Sequence, residues 1–311
     1  MADKEKNFVS AVVYVHNNEP EIENFVEMIR RTFEENFLAS EIICVNDAST
    51  DNGVEKIKNV SKAAGTTTIS IVNMTHCHGV ELAMNAGLDL AIGDFVFEFD
   101  SAVEDFSDEM IMKVYFRCLK GYDIVSASPK GHREFSSKFF YGLFKKFHSQ
   151  SLNMDTERFR ILSRRAINRV TGMNKAVPYR KAVYAASGFK LDAIKYEPTA
   201  KVKIHHTKEE NEYREQLAVD AMLLFTDAGY RLTIGLTKTL MLLTILAGIY
   251  AAFIYFAGNP VAGWTTTMIF LSFGFFCLFA VLTIVLKYFQ LILGLIFQRK
   301  RYNFESIEKL N

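Results

Sequence analysis

Short apolar runs alternate with longer amphipathic stretches through the first part of the chain. Phe8–Val15 is a β-rich run, and Pro20 then opens a helical stretch, where its missing N–H costs little. Glu41–Asn46 reads as a second strand, Gly53–Ala64 as helix, Thr68–Asn73 as strand and Gly79–Ala91 as helix. Phe95–Asp100 is nearly all apolar, as suits a parallel strand buried on both faces. A helix over Ser107–Leu119 and a strand over Tyr122–Ser126 follow. Repeated β-α-β order predicts an α/β fold, a parallel sheet with helices on both faces. Ligands of such sheets bind beyond the C-terminal ends of the strands.

The pattern changes toward the end of the chain. From Thr239 to Leu286 there is no Asp, Glu, Lys or Arg. A helix needs about 20 apolar residues to cross a hydrocarbon core of about 30 Å. The stretch holds two such helices, 240–257 and 266–286, divided by Gly258-Asn259-Pro260. Arg231 and Lys238 precede the first and Arg299-Lys300-Arg301 follow the second, while the connecting loop is uncharged. The positive-inside rule then predicts a multi-pass protein of the cytoplasmic (inner) membrane, with the main domain and both termini cytoplasmic. The expected division is a domain over 1–235, a transmembrane hairpin over 236–298 and a cytoplasmic tail over 299–311. Self-association into a homo-oligomer is compatible with the hairpin, although no small-xxx-small pattern specifies it.

Composition narrows the picture. Half of the 311 residues are hydrophobic and 23% are charged, which excludes a disordered, collagen-like or disulfide-scaffold chain. Lys+Arg 36 against Asp+Glu 35 leaves a net charge of +1, unlike a dedicated nucleic-acid binder. Cys44, Cys77, Cys118 and Cys277 are scattered without zinc-ligand spacing. The N-terminus lacks the apolar core of a secretory signal. His76, His78, His205 and His206 read as polar loop residues, since sequence neighbours seldom converge on one ion.

Asn17, Asp47 and Asp100 fall at the ends of predicted strands. A carboxylate such as Asp47 can accept hydrogen bonds from a base or ribose, or cap the following helix together with Ser49. Asp100, Glu104 and Asp105 cluster within one turn. Such carboxylates suit a hard divalent cation beside a diphosphate, or form an acidic loop at a helix N-terminus. In 134–149, Phe135, Phe139, Phe140, Leu143, Phe144 and Phe147 recur at helical spacing beside Lys138, Lys145 and Lys146. This predicts an interfacial amphipathic helix, or a helix packed on the core.

Taken together the motifs resemble glycosyltransferase family 2, whose domain has the GT-A nucleotide-sugar fold. Tyr14-Val15-His16-Asn17-Asn18-Glu19 resembles its P-x-Y-N-E-E opening, and Val45-Asn46-Asp47-Ala48-Ser49-Thr50-Asp51 its V-D-D-G-S-T-D. Gly79–Gly87 resembles G-x-x-x-A-x-N-x-G, and Gly93-Asp94-Phe95-Val96 with Asp100 resembles the G-D-x-V strand and D-x-D site. Asp155 and Phe159–Arg165 are similar to the D-x-x-x-F-R-L-L-S-R segment of polyprenyl-phosphate glycosyltransferases, many of which end in two transmembrane helices. Lys208 stands at that subgroup's S-K-Y position. This chain departs from the pattern at Asn46, at Glu157-Arg158, at Pro198 and Lys201, and at Ala102, which replaces the second Asp of D-x-D.

The resemblance implies a membrane-anchored inverting transferase that moves a sugar from a nucleotide-sugar donor to a polyprenyl phosphate such as undecaprenyl phosphate, for surface glycan synthesis. Asn17, Glu19, Asp47 and Asp100 would bind the donor. Asp100 and Glu104 would hold Mg²⁺ or Mn²⁺ on the diphosphate, as a Lewis acid for the leaving group. Lys130, Arg133, Arg160 and Lys208 are candidates to gather phosphates. Asp155 would orient Arg160, or act as base toward a sugar hydroxyl. Two other readings stand beside this one: transfer to a glycan hydroxyl, and a degenerate nucleotide-sugar-binding protein without turnover.

Overall fold

The computed structural model describes residues 4–63, 65–130, 157–172, 180–199 and 303–311, together with scattered helical positions between 235 and 292. Among the described residues, eight strands form one sheet: β1 (Val9–Val15), β2 (Ser40–Asn46), β3 (Thr67–Met74), β4 (Phe95–Phe99), β5 (Ile124–Pro129), β6 (Phe159–Ser163), β7 (Leu191–Tyr196) and β8 (Phe304–Lys309). Their order is β7-β5-β6-β4-β1-β2-β3-β8. The helices are α1 (Glu19–Asn36), α2 (Gly53–Ser61), α3 (Val80–Leu90), α4 (Glu109–Leu119), α5 (Arg164–Gly172) and α6 (Arg180–Ala186). The α/β expectation holds through β5, with element ends shifted by a few residues. The all-parallel expectation does not, because β6 runs antiparallel to both β4 and β5, and β8 antiparallel to β3.

β1 shows why the sheet sits where it does. Six of its seven residues are buried, so it must be covered on both faces. Val9, Ala11, Val13 and Val15 point to one face, against Ile22, Phe25 and Ile29 of α1, Ile57 of α2 and Ile111 of α4. Val12 points to the other, against Ala83, Met84 and Ala86 of α3. Pro20 starts α1 as expected, with Glu19 and Glu21 favourable at its positive end. The first face is rich in aromatic rings in edge-on contact, such as Phe25 on Phe99 at 5.4 Å and 84°. α3 packs so close to the sheet that a Cβ on Gly87 would lie 2.3 Å from Val12 Cγ1.

The segment expected as a tail contributes the edge strand β8. Its alternation of Phe304, Ser306 and Glu308 with Glu305, Ile307 and Lys309 is the period-two pattern of an edge strand, and it covers the open backbone edge of β3. Asn73 Nδ2 donates to Ser306 Oγ and Glu308 Oε1, both at 3.0 Å, and Lys58 pairs with Glu308 at 2.9 Å. Asn311 completes the joint by accepting from Ile69 N and donating to the Thr67 carbonyl.

The predicted multi-pass placement in the cytoplasmic membrane is corrected here: among the described residues, no helix is long and apolar enough to cross a membrane. Most of 240–257 and 266–286, and the whole of 134–149, lie outside the described residues.

Candidate active site

The C-terminal ends of β1 and β2 carry two loops pinned to each other. Asn17, in the left-handed region at φ 48°, accepts from Thr50 N through its side-chain oxygen at 2.8 Å. Glu19 N donates to Asp51 Oδ2 at 2.7 Å, and Asn52 N donates back to Glu19 Oε2 at 3.2 Å. Asn17 and Glu19 are thus brought together with the β2 loop, at the strand ends where the sequence leads one to expect a donor.

Asp47 lies deeper and is fully buried. Its carboxylate accepts from His78 N and Gly79 N, both at 2.8 Å, and from the Tyr14 hydroxyl at 3.1 Å. Gly79 precedes α3 with φ 82°, a conformation that suits glycine. Asp47 therefore latches the β3–α3 loop at the start of α3, where a negative charge is favourable. It does not cap α2, the helix that follows it in sequence.

At the end of β4 lies a cluster of buried charges. Arg180, 1% exposed, spans three carboxylates. Its Nε donates to Glu81 Oε2 at 2.9 Å, its Nη1 to Glu98 Oε1 at 3.0 Å and its Nη2 to Asp100 Oδ1 at 2.6 Å. Its backbone N–H also donates to Glu81 Oε2, at 2.9 Å. Arg160, on the neighbouring β6, donates from Nη2 to Asp100 Oδ2 at 2.5 Å. It lies 3.2 Å from Glu98 Oε2 and 3.1 Å from Glu157 Oε2. Those two approaches lack hydrogen-bond geometry, so Arg160 Nε and Nη1 and Glu98 Oε2 are buried without a hydrogen-bond partner among the described residues. The Tyr184 hydroxyl donates to Glu98 Oε1 at 2.9 Å, closing the cluster from α6.

The electrostatics follow from this geometry. Burial alone would raise the Asp100 carboxyl, but the guanidinium groups of Arg160 and Arg180 outweigh it and hold that carboxyl well below the usual range. Glu98 goes the other way. Its burial is complete, and the same two arginines offset it only in part, so its carboxyl is raised.

The implied cation at Asp100 and Glu104 can be tested against these donors. Both oxygens of Asp100 already accept from arginines. Glu104 is exposed, outside the cluster, and Ala102 offers no side-chain oxygen. Asp105 is committed to Arg158, with Arg158 Nε at 3.0 Å, and to the Tyr196 hydroxyl at 2.7 Å. A dication 4 Å from one guanidinium would meet repulsion of about 8 kcal/mol at an effective dielectric constant of about 20. Among the described residues, no three His, Cys, Asp or Glu side chains are placed to share a metal ion. The described residues at the end of β4 do not fit a metal centre.

Of the expected site residues, Asp100 and Arg160 are brought into direct contact, and Asn17, Glu19 and Asp47 surround the neighbouring strand ends. Lys130 pairs with Glu197 at 3.0 Å, as ordinary surface charge. Asp155, Arg133 and Lys208 lie outside the described residues. Arg180, Glu81 and Glu98 were not singled out by the sequence. The available signal was Glu98 itself, a charge inside the apolar run Phe95–Phe99, which requires a buried counter-charge.

Comparison with known proteins agrees with this architecture. Residues 10–184 match the family described as "Glycosyl transferase family 2". The chain is 25% identical over 195 residues to an uncharacterized glycosyltransferase of Synechocystis sp., covering 61% of this chain and 60% of that one. It is 28% identical over 194 residues to a prophage bactoprenol glucosyl transferase homolog of Escherichia coli, covering 60% and 62%. The chain thus spans somewhat under two thirds of the length of these relatives. Among solved structures, glucosyl-3-phosphoglycerate synthase from Mycobacterium tuberculosis, in complex with Mn²⁺, UDP-glucose and phosphoglyceric acid, is similar in fold, with a TM-score of 0.51 and 13% identity over 70% of this chain and 79% of that one.

Proposed function

The chain belongs to glycosyl transferase family 2, and from that premise we propose that it transfers a sugar from a nucleotide-sugar donor to a polyprenyl phosphate. The observation that supports the acceptor is the likeness to the Escherichia coli relative, which is named as a bactoprenol glucosyl transferase homolog.

In this reading the nucleoside lies over the ends of β1 and β2, between the pinned loops of Asn17, Glu19 and Asp51. Asp47 keeps the β3–α3 loop in place beneath it, as a support rather than a hydrogen-bond partner of the base. The diphosphate faces the end of β4. A polyprenyl phosphate oxygen is anionic at neutral pH, so attack on the anomeric carbon needs no strong base. The oxygen forms the new glycosidic bond as the bond to the nucleoside diphosphate breaks. Attack opposite the leaving group inverts the anomeric centre. The chemical demand is then to hold several phosphates together, and arginine suits that task through its bidentate fork. Arg160 is the candidate within the described residues, with Arg133 and Lys208 joining it. Asp155 would orient Arg160.

The test is direct. Purified protein is incubated with undecaprenyl phosphate and a panel of UDP- and GDP-sugars, and lipid-linked sugar is followed by mass spectrometry. A lipid-sugar product that is lost in Arg160→Ala supports the reading. Nucleotide-sugar turnover confined to glycan hydroxyl acceptors would refute it.

A further inference from the structure

Three carboxylates from two elements converge on a single cation at the end of β4, and that cation is a side chain. Glu81 reaches it from the first turn of α3, and Glu98 and Asp100 from β4 and the residue after it. We propose that Arg180 stands at Asp100 where a divalent cation would otherwise sit, so that the protein binds its nucleotide-diphosphate donor without metal. The inference rests on the reading that such a donor lies over these strand ends.

Three observations carry it. The first is what Asp100 already does. Each of its oxygens accepts from a different guanidinium, at 2.5 and 2.6 Å, so a metal would have to displace an arginine from a buried ion pair. The second is what surrounds it. Ala102 is buried and brings no oxygen, while Arg180 supplies a fixed positive charge held by hydrogen bonds to three carboxylates. The third is the state of Arg160. It is 1% exposed, and its Nε and Nη1 lie 3.1 Å from Glu157 Oε2 and 3.2 Å from Glu98 Oε2 without making a hydrogen bond among the described residues. These ion pairs leave both buried donors without a well-aligned acceptor, and diphosphate oxygens are acceptors that guanidinium donors favour.

The division of labour follows. Arg180 is a positioning residue: it locks Asp100 and Glu98, and through them fixes where Arg160 points. Arg160 presents its Nε and Nη1 donors to the diphosphate, exchanging their poorly aligned carboxylate neighbours for phosphate oxygens. The departing nucleoside diphosphate is then balanced by guanidinium charge. No proton or electron is gained or lost in this step.

The experiment is calorimetric titration of the intact protein with UDP-glucose and with GDP-mannose, once in Mn²⁺ and once in EDTA. Electron paramagnetic resonance of Mn²⁺ is recorded in parallel. We expect one of the two nucleotide sugars to bind with the same affinity in both buffers. We also expect the aqueous Mn²⁺ signal to stay undiminished by the protein alone. In EDTA, Arg180→Met should weaken donor binding about tenfold or more, the loss expected for a misdirected charged hydrogen bond. Arg180→Lys, which keeps a cation in the cluster, should weaken it less.

Binding that appears only with Mn²⁺, or an Mn²⁺ site lost in Asp100→Asn, would overturn the inference and leave the transferase reading intact. Binding of neither nucleotide sugar in either buffer would overturn both. The comparison of buffers uses the unaltered protein, so it decides the question even if Arg180→Met does not fold.

Discussion

Replacing Arg180 by Met removes the cation from three carboxylates while keeping a long side chain in its place. Glu81 is 6% exposed, Glu98 is fully buried and Asp100 is 24% exposed at the side chain. Breaking a buried ion pair from one side costs about 3–5 kcal/mol, because the remaining charge is stranded. Part of that cost can be relieved by a proton. The Glu98 carboxyl is already raised by burial against the pull of Arg180 and Arg160, and loss of Arg180 raises it further. A carboxyl whose folded pKa lies above its unfolded value contributes stability at low pH, lost as the pH rises through the folded value. The penalty of Arg180→Met should therefore be smaller at about pH 5.5 than at about pH 8, by up to about 1.4 kcal/mol for each pH unit over which Glu98 titrates. Adding Glu98→Gln should recover stability at the higher pH and change little at the lower. Urea unfolding of the four proteins at the two pH values measures this cycle. A penalty below about 1 kcal/mol, or one independent of pH, would refute the reasoning.

Other consequences can be checked one by one. Gly87→Ala places a methyl 2.3 Å from Val12 Cγ1 and 2.8 Å from Val45 Cγ2. Overpacking of about 1–3 kcal/mol less about 1 kcal/mol of helix propensity leaves a net loss of about 0–2 kcal/mol by thermal melting, reduced in a Val12→Ala background. Asp47→Ala strands the His78 and Gly79 N–H groups, so it should destabilise by about 1–3 kcal/mol per group and speed hydrogen exchange at those amides. A thiol reagent should modify Cys77, which is exposed, well before Cys44, which is buried and whose thiol burial pushes up to about 12. Ending the chain after residue 302 removes β8 and bares the edge of β3, and light scattering should then report association that the full chain does not show.

The first nine elements were legible because each buries a continuous apolar stripe or run. The later strands were not. β6 carries Arg160 as the second of the five residues Phe159–Ser163, and a charge there hides a buried strand until its partners are known. β7 and β8 alternate on sheet edges with one face open to solvent, which weakens the apolar signal. At the site, Asp100 and Arg160 were visible through motif spacing, but their contact was not. Arg180 was invisible because it is 80 residues from Asp100, and no local pattern announces a partner at that distance. The opposite happened at Asp47, where a motif suggested a ligand contact and the local hydrogen bonds show a loop latch.

The joint between β3 and β8 also sets a clock. Asn73 and Ser306 meet across 233 residues of chain. At a synthesis rate of about 5–20 residues per second, β3 waits roughly 10–50 s on the ribosome before its neighbour exists. Strand pairings at such separation are also slow to form for entropic reasons. During that interval the nascent sheet ends at β3, with Ile69, Ile71 and Val72 already committed to the core and the outer backbone edge unpaired. Among the described strands the one made after all the others is therefore the one that covers the β3 edge, and a nascent chain stalled before residue 304 should be the form that chaperones hold longest.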